Sequence, residues 1–551
     1  MNKLGSKIAI LAVRAAVAAL AATMLCGPAN LNAQSAPRQI AIPLPPMGWS
    51  SWNSFSNTVD SQAVMDQAKA MISTGMQKAG YQYINIDEGW WLGERDAQGN
   101  IVVDPKAWPA LAPGEHAGDM SNIVRFIHGL GLKTGIYTDA GKNGCGTYSP
   151  DLGHGYPNEG SEGHYEQDFL QFARWGFDYV KVDWCGGNKE NLDPAVQYAE
   201  IAKAIARAEA ITGHRLYFSI CEWGRNSPWT WAPNIGGVPA DIWRTSGDIV
   251  APIVAGSRNA GRKASFQKML RNFDQGIHPE AEHTGFYNDP DMMVVGMPGL
   301  TDAENRVHMS LWAMSGAPLI VGADLTKLSD ATRATLTNPA VLAVDQDVLG
   351  LQAVKAGEQG TGLEVWCKRL AASGERAVLL LNRTASAAPI SVHWSDLGLS
   401  GSSAEVKDLW AGKDLGTVND SYSATIPASD AVMLLVHGRE GKMTRYRPSG
   451  SGTPAASHAL EKNHSLTFSL VSSRLSMAAI EIVYTNSGPS TRFAELRANG
   501  QDATRIAFPP TGSAAGAVWI QAVLDRTGAQ NELSFSAICD PGPAITSISL
   551  E

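Results

Sequence analysis

Asp178-Tyr179-Val180-Lys181-Val182-Asp183-Trp184 contains a short, largely apolar run, 179–182, followed by an acid, Asp183. Its length and its β-branched and aromatic residues read as a strand. A helical pattern follows it: Tyr198, Ile201, Ala202 and Ile205 share one face, with Pro194 near the start. The same pairing recurs on both sides. Strands are expected at 47–52, 81–86, 133–138, 178–184, 216–221, 241–245, 292–295 and 318–321. Between them, Val64, Met65, Ala68, Met71 and Ile72 follow an expected cap at Asp60, and Ile123, Val124, Ile127 and Leu130 precede Gly131. Eight strand–helix alternations predict an α/β fold, a (β/α)8 TIM barrel over 42–350. An open doubly wound sheet is the competing reading, but no glycine-rich phosphate fingerprint follows the first strand.

Beyond the barrel the pattern changes to short β runs separated by Gly, Ser and Asn turns. These predict an antiparallel β-sandwich over 351–438. A linker is expected over 439–457, where Pro, Gly, Ser and Thr dominate from Pro448 on. A second β-sandwich is expected over 458–551. At the other end, Lys3 and Lys7 precede an apolar run from Ile8 to Leu25, and a small-residue exit near Ala33 closes it. This predicts an export signal over 1–33 and a periplasmic or extracellular protein, with no membrane attachment after cleavage.

Composition narrows the function. Of 551 residues, 44% are hydrophobic and 18% charged, with a net charge of −9. No basic stripe is present to neutralise phosphates, so nucleic acid is excluded as a partner. No Cys-x-x-Cys pair is present, and neither a metal nor a cofactor is expected. Oligomeric state is not legible.

In a barrel, side chains at the carboxyl ends of the strands converge on one face. Here those ends carry Trp52, Asp87, Glu88, Tyr137, Lys181, Asp183, Glu222, Arg244, Asp248 and Asp291. Each acid alone is open to a structural reading, as a helix cap or one half of an ion pair. Their recurrence at successive strand ends points instead to glycoside hydrolysis, in which two carboxyl groups do the covalent work and further polar groups grip hydroxyls.

The residues also carry a resemblance. Pro45-Pro46-Met47-Gly48-Trp49-Ser50-Ser51-Trp52-Asn53 is similar to the opening of family 27 glycoside hydrolases, the α-galactosidase and melibiase group. Asp87-Glu88-Gly89-Trp90, Lys181-Val182-Asp183, Cys221-Glu222-Trp223-Gly224, Trp243-Arg244-Thr245-Ser246-Gly247-Asp248 and Asn288-Asp289-Pro290-Asp291-Met292 follow in the family's order. The resemblance implies a retaining exo-glycosidase acting on terminal α-D-galactosides. It implies Asp183 as nucleophile and Asp248 as acid/base. It also implies a substrate grip from Trp52, Asp87, Glu88, Tyr137, Lys181, Glu222, Arg244 and Asp291, and a disulfide between Cys145 and Cys185.

One position departs from the family. Its galactosidases usually carry two aspartates where this chain has Asp87-Glu88. The extra methylene of Glu88 raises a second reading, a β-L-arabinopyranosidase, because that sugar lacks the C6 hydroxymethyl group. The substrate is thus expected to be a galactosyl or arabinopyranosyl oligo- or polysaccharide. A non-catalytic sugar-binding protein is a third reading, disfavoured because both acids are present. The last domain resembles carbohydrate-binding modules of family 35, through Glu495-Leu496-Arg497-Ala498-Asn499-Gly500 and Phe508-Pro509-Pro510-Thr511-Gly512.

Overall fold

The computed structural model describes residues 37–148, 157–236, 239–252, 261–449, 460–461, 464–473, 476–501, 503–526, 528–538 and 541–551. The expected export signal and Cys539 lie outside the described residues.

Eight parallel strands build the first domain: β1 (Met47–Ser50), β2 (Tyr83–Asn85), β3 (Lys133–Asp139), β4 (Tyr179–Asp183), β5 (Tyr217–Cys221), β6 (Ile242–Arg244), β7 (Tyr287–Asp289) and β8 (Leu319–Val321). They lie in the order β7-β6-β5-β4-β3-β2-β1-β8. The sheet curls until Met293, just past β7, bridges in parallel to Val321 on β8. The Met293 N–H donates to Ile320 O at 2.7 Å, and Met293 O accepts from the Gly322 N–H at 2.9 Å. The barrel thus closes without a free edge.

The helices pack outside. α1 (Ser61–Ser73) starts on Asp60, whose carboxylate accepts from the Ala63 N–H. α2 (Ser121–Gly129), α3 (Tyr165–Trp175) and α4 (Pro194–Thr212) follow β2, β3 and β4. α5 (Phe266–Gln275) follows β6, and α6 (Asp302–Ser315) follows β7 behind a capping box of Thr301 and Glu304. After β5 the helix is reduced to the single turn Pro228–Trp231.

Two expectations need correction. The seventh strand lies at Tyr287–Asp289, not at 292–295. The apolar run Met293-Val294-Val295 is buried, as its composition demands, but only Met293 contributes to the sheet. The true strand is polar because its groups have internal partners. Asn288 Oδ1 accepts from Trp243 Nε1 at 2.9 Å, and Asn288 Nδ2 donates to His278 O at 3.0 Å. Trp52 is not in the first strand but opens a short helical turn after it.

The second domain has strands β9 (Val354–Glu358), β10 (Leu363–Arg369), β11 (Glu375–Asn382), β12 (Ala388–His393), β13 (Leu399–Asp408), β14 (Lys413–Asn419), β15 (Ser421–Ile426) and β16 (Asp430–Glu440). Six form the antiparallel sheet β9-β10-β11-β16-β13-β14, and β12 pairs with β15 beside it. Alternation along β11 explains its unbroken apolar run. Val378 and Leu380 face this domain's own core, while Ala377, Leu379 and Leu381 join the barrel's core.

The third domain holds β17 (Thr444–Tyr446), β18 (Ser465–Val471), β19 (Met477–Thr485), β20 (Arg492–Ala498), β21 (Thr504–Phe508), β22 (Gly516–Val523), β23 (Asn531–Ala537) and β24 (Ala544–Leu550). One sheet runs β22-β19-β24-β17, with Arg38–Gln39 added in parallel on the outer side of β22. The other runs β18-β23-β20-β21. β17 falls inside the stretch expected as a linker, as does the end of β16. A three-residue strand carries no periodic signal, and its partner β24 lies a hundred residues on.

The third domain is bonded to the rest. Arg376 on β11 has a buried side chain and reaches Glu440 at 2.7 Å and Glu551 at 3.1 Å. The Arg505 guanidinium donates to Ile235 O and Asn234 O, and the Ala507 N–H donates to Thr284 Oγ1. Among the described residues no helix is long and apolar enough to cross a membrane.

Candidate active site

Strand alternation sets the barrel's interior. Tyr179, Lys181 and Asp183 point inward along β4, while Val180 and Val182 pack outward against the helices. At the amino ends, Tyr83, Tyr179, Tyr217, Ile242 and Tyr287 form one cluster. Tyr179 and Tyr217 stack with centroids 5.6 Å apart. This tyrosine cluster packs across the barrel floor, at the end opposite the carboxyl ends of the strands. Above it lies a polar layer of Asn85, Lys181, Ser219, Arg244 and Asp289 around a void of about 30 Å³.

Above that layer opens a cavity of about 460 Å³. Trp52, Asp87, Glu88, Tyr137, Lys181, Asp183, Arg244 and Asp248 line it. Lys181 Nζ lies 3.0 Å from Asp87 Oδ2 and 3.7 Å from Asp183 Oδ2. Asp183 Oδ1 accepts from the Trp184 N–H at 2.9 Å. Burial pushes the Asp183 carboxyl above the ordinary carboxylate range, and the Lys181 ammonium and the Trp184 N–H draw it back down. On the facing side, Arg244 Nη2 lies 3.1 Å from Asp248 Oδ1 and donates to Ser246 O, and Arg244 Nη1 lies 3.0 Å from Asp291 Oδ1. The two acids differ in access: the Asp248 side chain is 42% exposed and that of Asp183 7%. One carboxylate is held deep by a lysine; the other stands at the mouth in reach of water.

Glu88 is buried, and Glu88 Oε1 accepts from the Gly146 N–H at 2.7 Å. Burial raises its carboxyl well above the ordinary range, and the neighbouring Glu159 adds to this. Gly144 makes room for the longer side chain: a Cβ there would stand 2.6 Å from Glu88 Oε1. The disulfide Cys145–Cys185, with Cα atoms 5.1 Å apart, ties the loops after β3 and β4 beside the cavity. Behind it, Asp139 accepts from the N–H groups of Gly141, Cys185 and Gly186. Asp139, Asp183 and the two cysteines lie close enough to suggest a metal cluster. The sulfurs are bonded to each other and Asp139 is occupied by backbone, so the group is a loop anchor.

Two of the anticipated gripping residues do not line the cavity. Glu222 is fully buried, and its Oε2 accepts from the backbone N–H and the Nδ2 of Asn226, each at 2.9 Å. Burial pushes its carboxyl up to about 7. Asp291 stands behind Arg244, its Oδ2 on the Ile249 N–H at 2.8 Å. It positions the guanidinium and the loop that carries Asp248. Conversely, Trp223, Arg225, Arg262 and Met292 line the cavity without having been singled out from the sequence. For Trp223 the signal was present in the phase of β5. Tyr217, Ser219 and Cys221 face inward, so Glu222 must face away, and the positive φ of Trp223 then turns the chain back.

Comparison with known proteins agrees with this geometry. Residues 44–347 match the family model described as Alpha galactosidase A. Residues 360–436 match the alpha galactosidase C-terminal beta sandwich domain. Residues 465–549 match the model described as Alpha-galactosidase, CBM13 domain. The last match corrects the resemblance to family 35. The stretches behind that resemblance are turns and alternating strands common to β-sandwiches: Asn499-Gly500 is a turn, and Pro509 and Pro510 end β21. The Alpha-galactosidase A of Cellvibrio japonicus is 39% identical over 72% of this chain and 92% of its own. The crystal structure of alpha-galactosidase I from Mortierella vinacea superposes with a TM-score of 0.61 at 30% identity, covering 72% of this chain and 98% of that one. A family 27 β-L-arabinopyranosidase from Geobacillus stearothermophilus shares the fold, with a TM-score of 0.60 at 23% identity over 72% of this chain and 97% of that one. A model match across the whole barrel, and a 39% identical relative covered almost end to end, place this chain in the α-galactosidase family of the family 27 glycoside hydrolases.

Proposed function

We propose that this protein is an exported, retaining α-galactosidase that removes terminal non-reducing α-D-galactosyl units. The observation that carries the reading is the pair of acids across one cavity, Asp183 deep beside Lys181 and Asp248 at the mouth beside Arg244. In the first step the Asp183 carboxylate attacks the anomeric carbon. The bond to the leaving oxygen breaks, and Asp248 delivers its proton to that oxygen. In the second step Asp248 takes a proton from water, the water oxygen attacks the same carbon, and Asp183 leaves as carboxylate. Lys181 supplies the charge that keeps buried Asp183 ionised. Asp87, Glu88, Tyr137 and Trp52 surround the sugar in this reading.

Glu88 bears on the choice between sugars. One of its carboxylate oxygens, Oε1, is turned into the wall, on the Gly146 N–H and over the space left by Gly144. The added methylene is therefore taken up away from the sugar, which favours galactose over L-arabinopyranose. Names of the relatives above 30% identity point the same way. The reading is tested with p-nitrophenyl α-D-galactoside, p-nitrophenyl β-L-arabinopyranoside and the Asp183→Asn variant. We expect the galactoside to be cleaved faster, and Asp183→Asn to lower kcat by at least about four orders of magnitude with an unchanged circular dichroism spectrum. A faster arabinopyranoside would overturn the sugar; an active Asp183→Asn would overturn the nucleophile.

A further inference from the structure

Arg225 and Arg262 have no part in the double displacement, yet both line the cavity and both are exposed. The other cations of the cavity are spoken for: Lys181 faces Asp87 and Asp183, and Arg244 faces Asp248 and Asp291. Among the described residues neither Arg225 nor Arg262 has an acidic partner within ion-pair distance. Residues 253–260, which lead into Arg262, contain no Asp or Glu. The guanidinium of Arg225 stands 4.8 Å from the centroid of Trp223, whose ring lines the same cavity. Stacking of this kind fixes a guanidinium without neutralising it.

Depth gives these residues a direction. Asp183 is buried at the inner end and Asp248 is exposed at the outer end. The bond that breaks lies between them, so the departing group extends past Asp248 toward the mouth. Trp223, Arg225 and Arg262 line the same cavity, and exposure of both arginines puts them on its open side. In a chain with a net charge of −9, two cations at this place with no ion-pair partner among the described residues run against the overall balance.

We propose that the mouth of the cavity is a subsite for an acidic leaving group: a galactoside whose reducing-side unit carries a carboxylate, as in a uronic or aldonic acid. The inference rests on the galactosidase reading and narrows its substrate class. The Trp223 ring offers an apolar face to that unit, and the two guanidinium groups flank its carboxylate with paired N–H donors. Exposed pairs of this kind change affinity by up to roughly fivefold each, and salt screens them.

The test compares two substrates that differ only in charge, melibionate and melibiitol, prepared by oxidising and by reducing the glucose unit of melibiose. Both have the same galactosyl group, the same primary leaving oxygen and an open carbon chain. We expect kcat/KM to favour melibionate by about fivefold at low ionic strength. That ratio should fall toward one in 1 M NaCl, and also in the Arg225→Gln/Arg262→Gln variant. A ratio at or below one in the parent protein overturns the proposal. So does a ratio that neither salt nor the double variant moves, and so does a failure to cleave melibionate by protein that cleaves p-nitrophenyl α-D-galactoside. Protein that cleaves no galactoside at all overturns the parent reading instead.

Discussion

Lys181 stands between two carboxylates, 3.0 Å from Asp87 and 3.7 Å from Asp183. Its worth to the reaction follows from the sign of its field. Burial raises the Asp183 carboxyl, Lys181 lowers it, and in the proposed mechanism only the ionised form can attack. Lys181→Met therefore leaves burial unopposed, and the acid limb of the kcat/KM–pH profile should move to higher pH. An acid limb that stays in place or moves down would show that Lys181 does not tune Asp183. This part of the site was legible because residues two apart on a strand share a face, so Lys181 and Asp183 could be paired from spacing alone. Asp87 and Arg244 could be placed at strand ends in the same way. The direction of Glu222 could also have been read from alternation, but the family resemblance pointed the other way. Arg225 and Arg262 were hidden for a different reason. They sit on loops, where no periodicity says which way a side chain points.

At the scale of elements, the tyrosine cluster packs the floor of the barrel. Tyr83, Tyr179, Tyr217 and Tyr287 occupy the amino-terminal positions of β2, β4, β5 and β7, and all but Tyr83 are buried. Tyr179→Ala opens a cavity against Tyr83 and Tyr217, which the surrounding strands are too constrained to refill. It should cost about 3–5 kcal/mol of stability, read from the midpoint of urea unfolding. A loss below about 1 kcal/mol would mean that the floor is not tightly packed. Most barrel strands were legible as short apolar runs ending in charge. β7 was not, because its polarity is satisfied by Trp243 and His278, partners that lie far away in sequence. The missing helix after β5 escaped notice as well: Pro228-Trp229-Thr230-Trp231 is apolar enough to begin one, but Pro233 follows within two residues.

Across the whole molecule, three domains are locked into one body by contacts that run in both directions. β11 shares its two faces between the barrel and the second domain. Arg376 is shared between Glu440 and Glu551, the last residue of the chain. The segment that leads into the barrel adds a strand, Arg38–Gln39, to the third domain's sheet. The third domain also holds the loop after β5 through Arg505, and that loop carries Trp223 and Arg225 to the cavity. The order of domains was legible from the change in periodicity along the chain. Their bonding was not, because ion pairs between residues separated by 175 positions, such as Arg376 and Glu551, leave no local signal. In the proposed mechanism this scaffolding serves one covalent event, the transfer of a galactosyl group to Asp183. Mass spectrometry on protein denatured during turnover of 5-fluoro-α-D-galactosyl fluoride tests that event most directly. The account predicts one fluorogalactosyl adduct, located on the peptide that contains Asp183. An adduct on another residue, or release of fluoride without any covalent species, would contradict it.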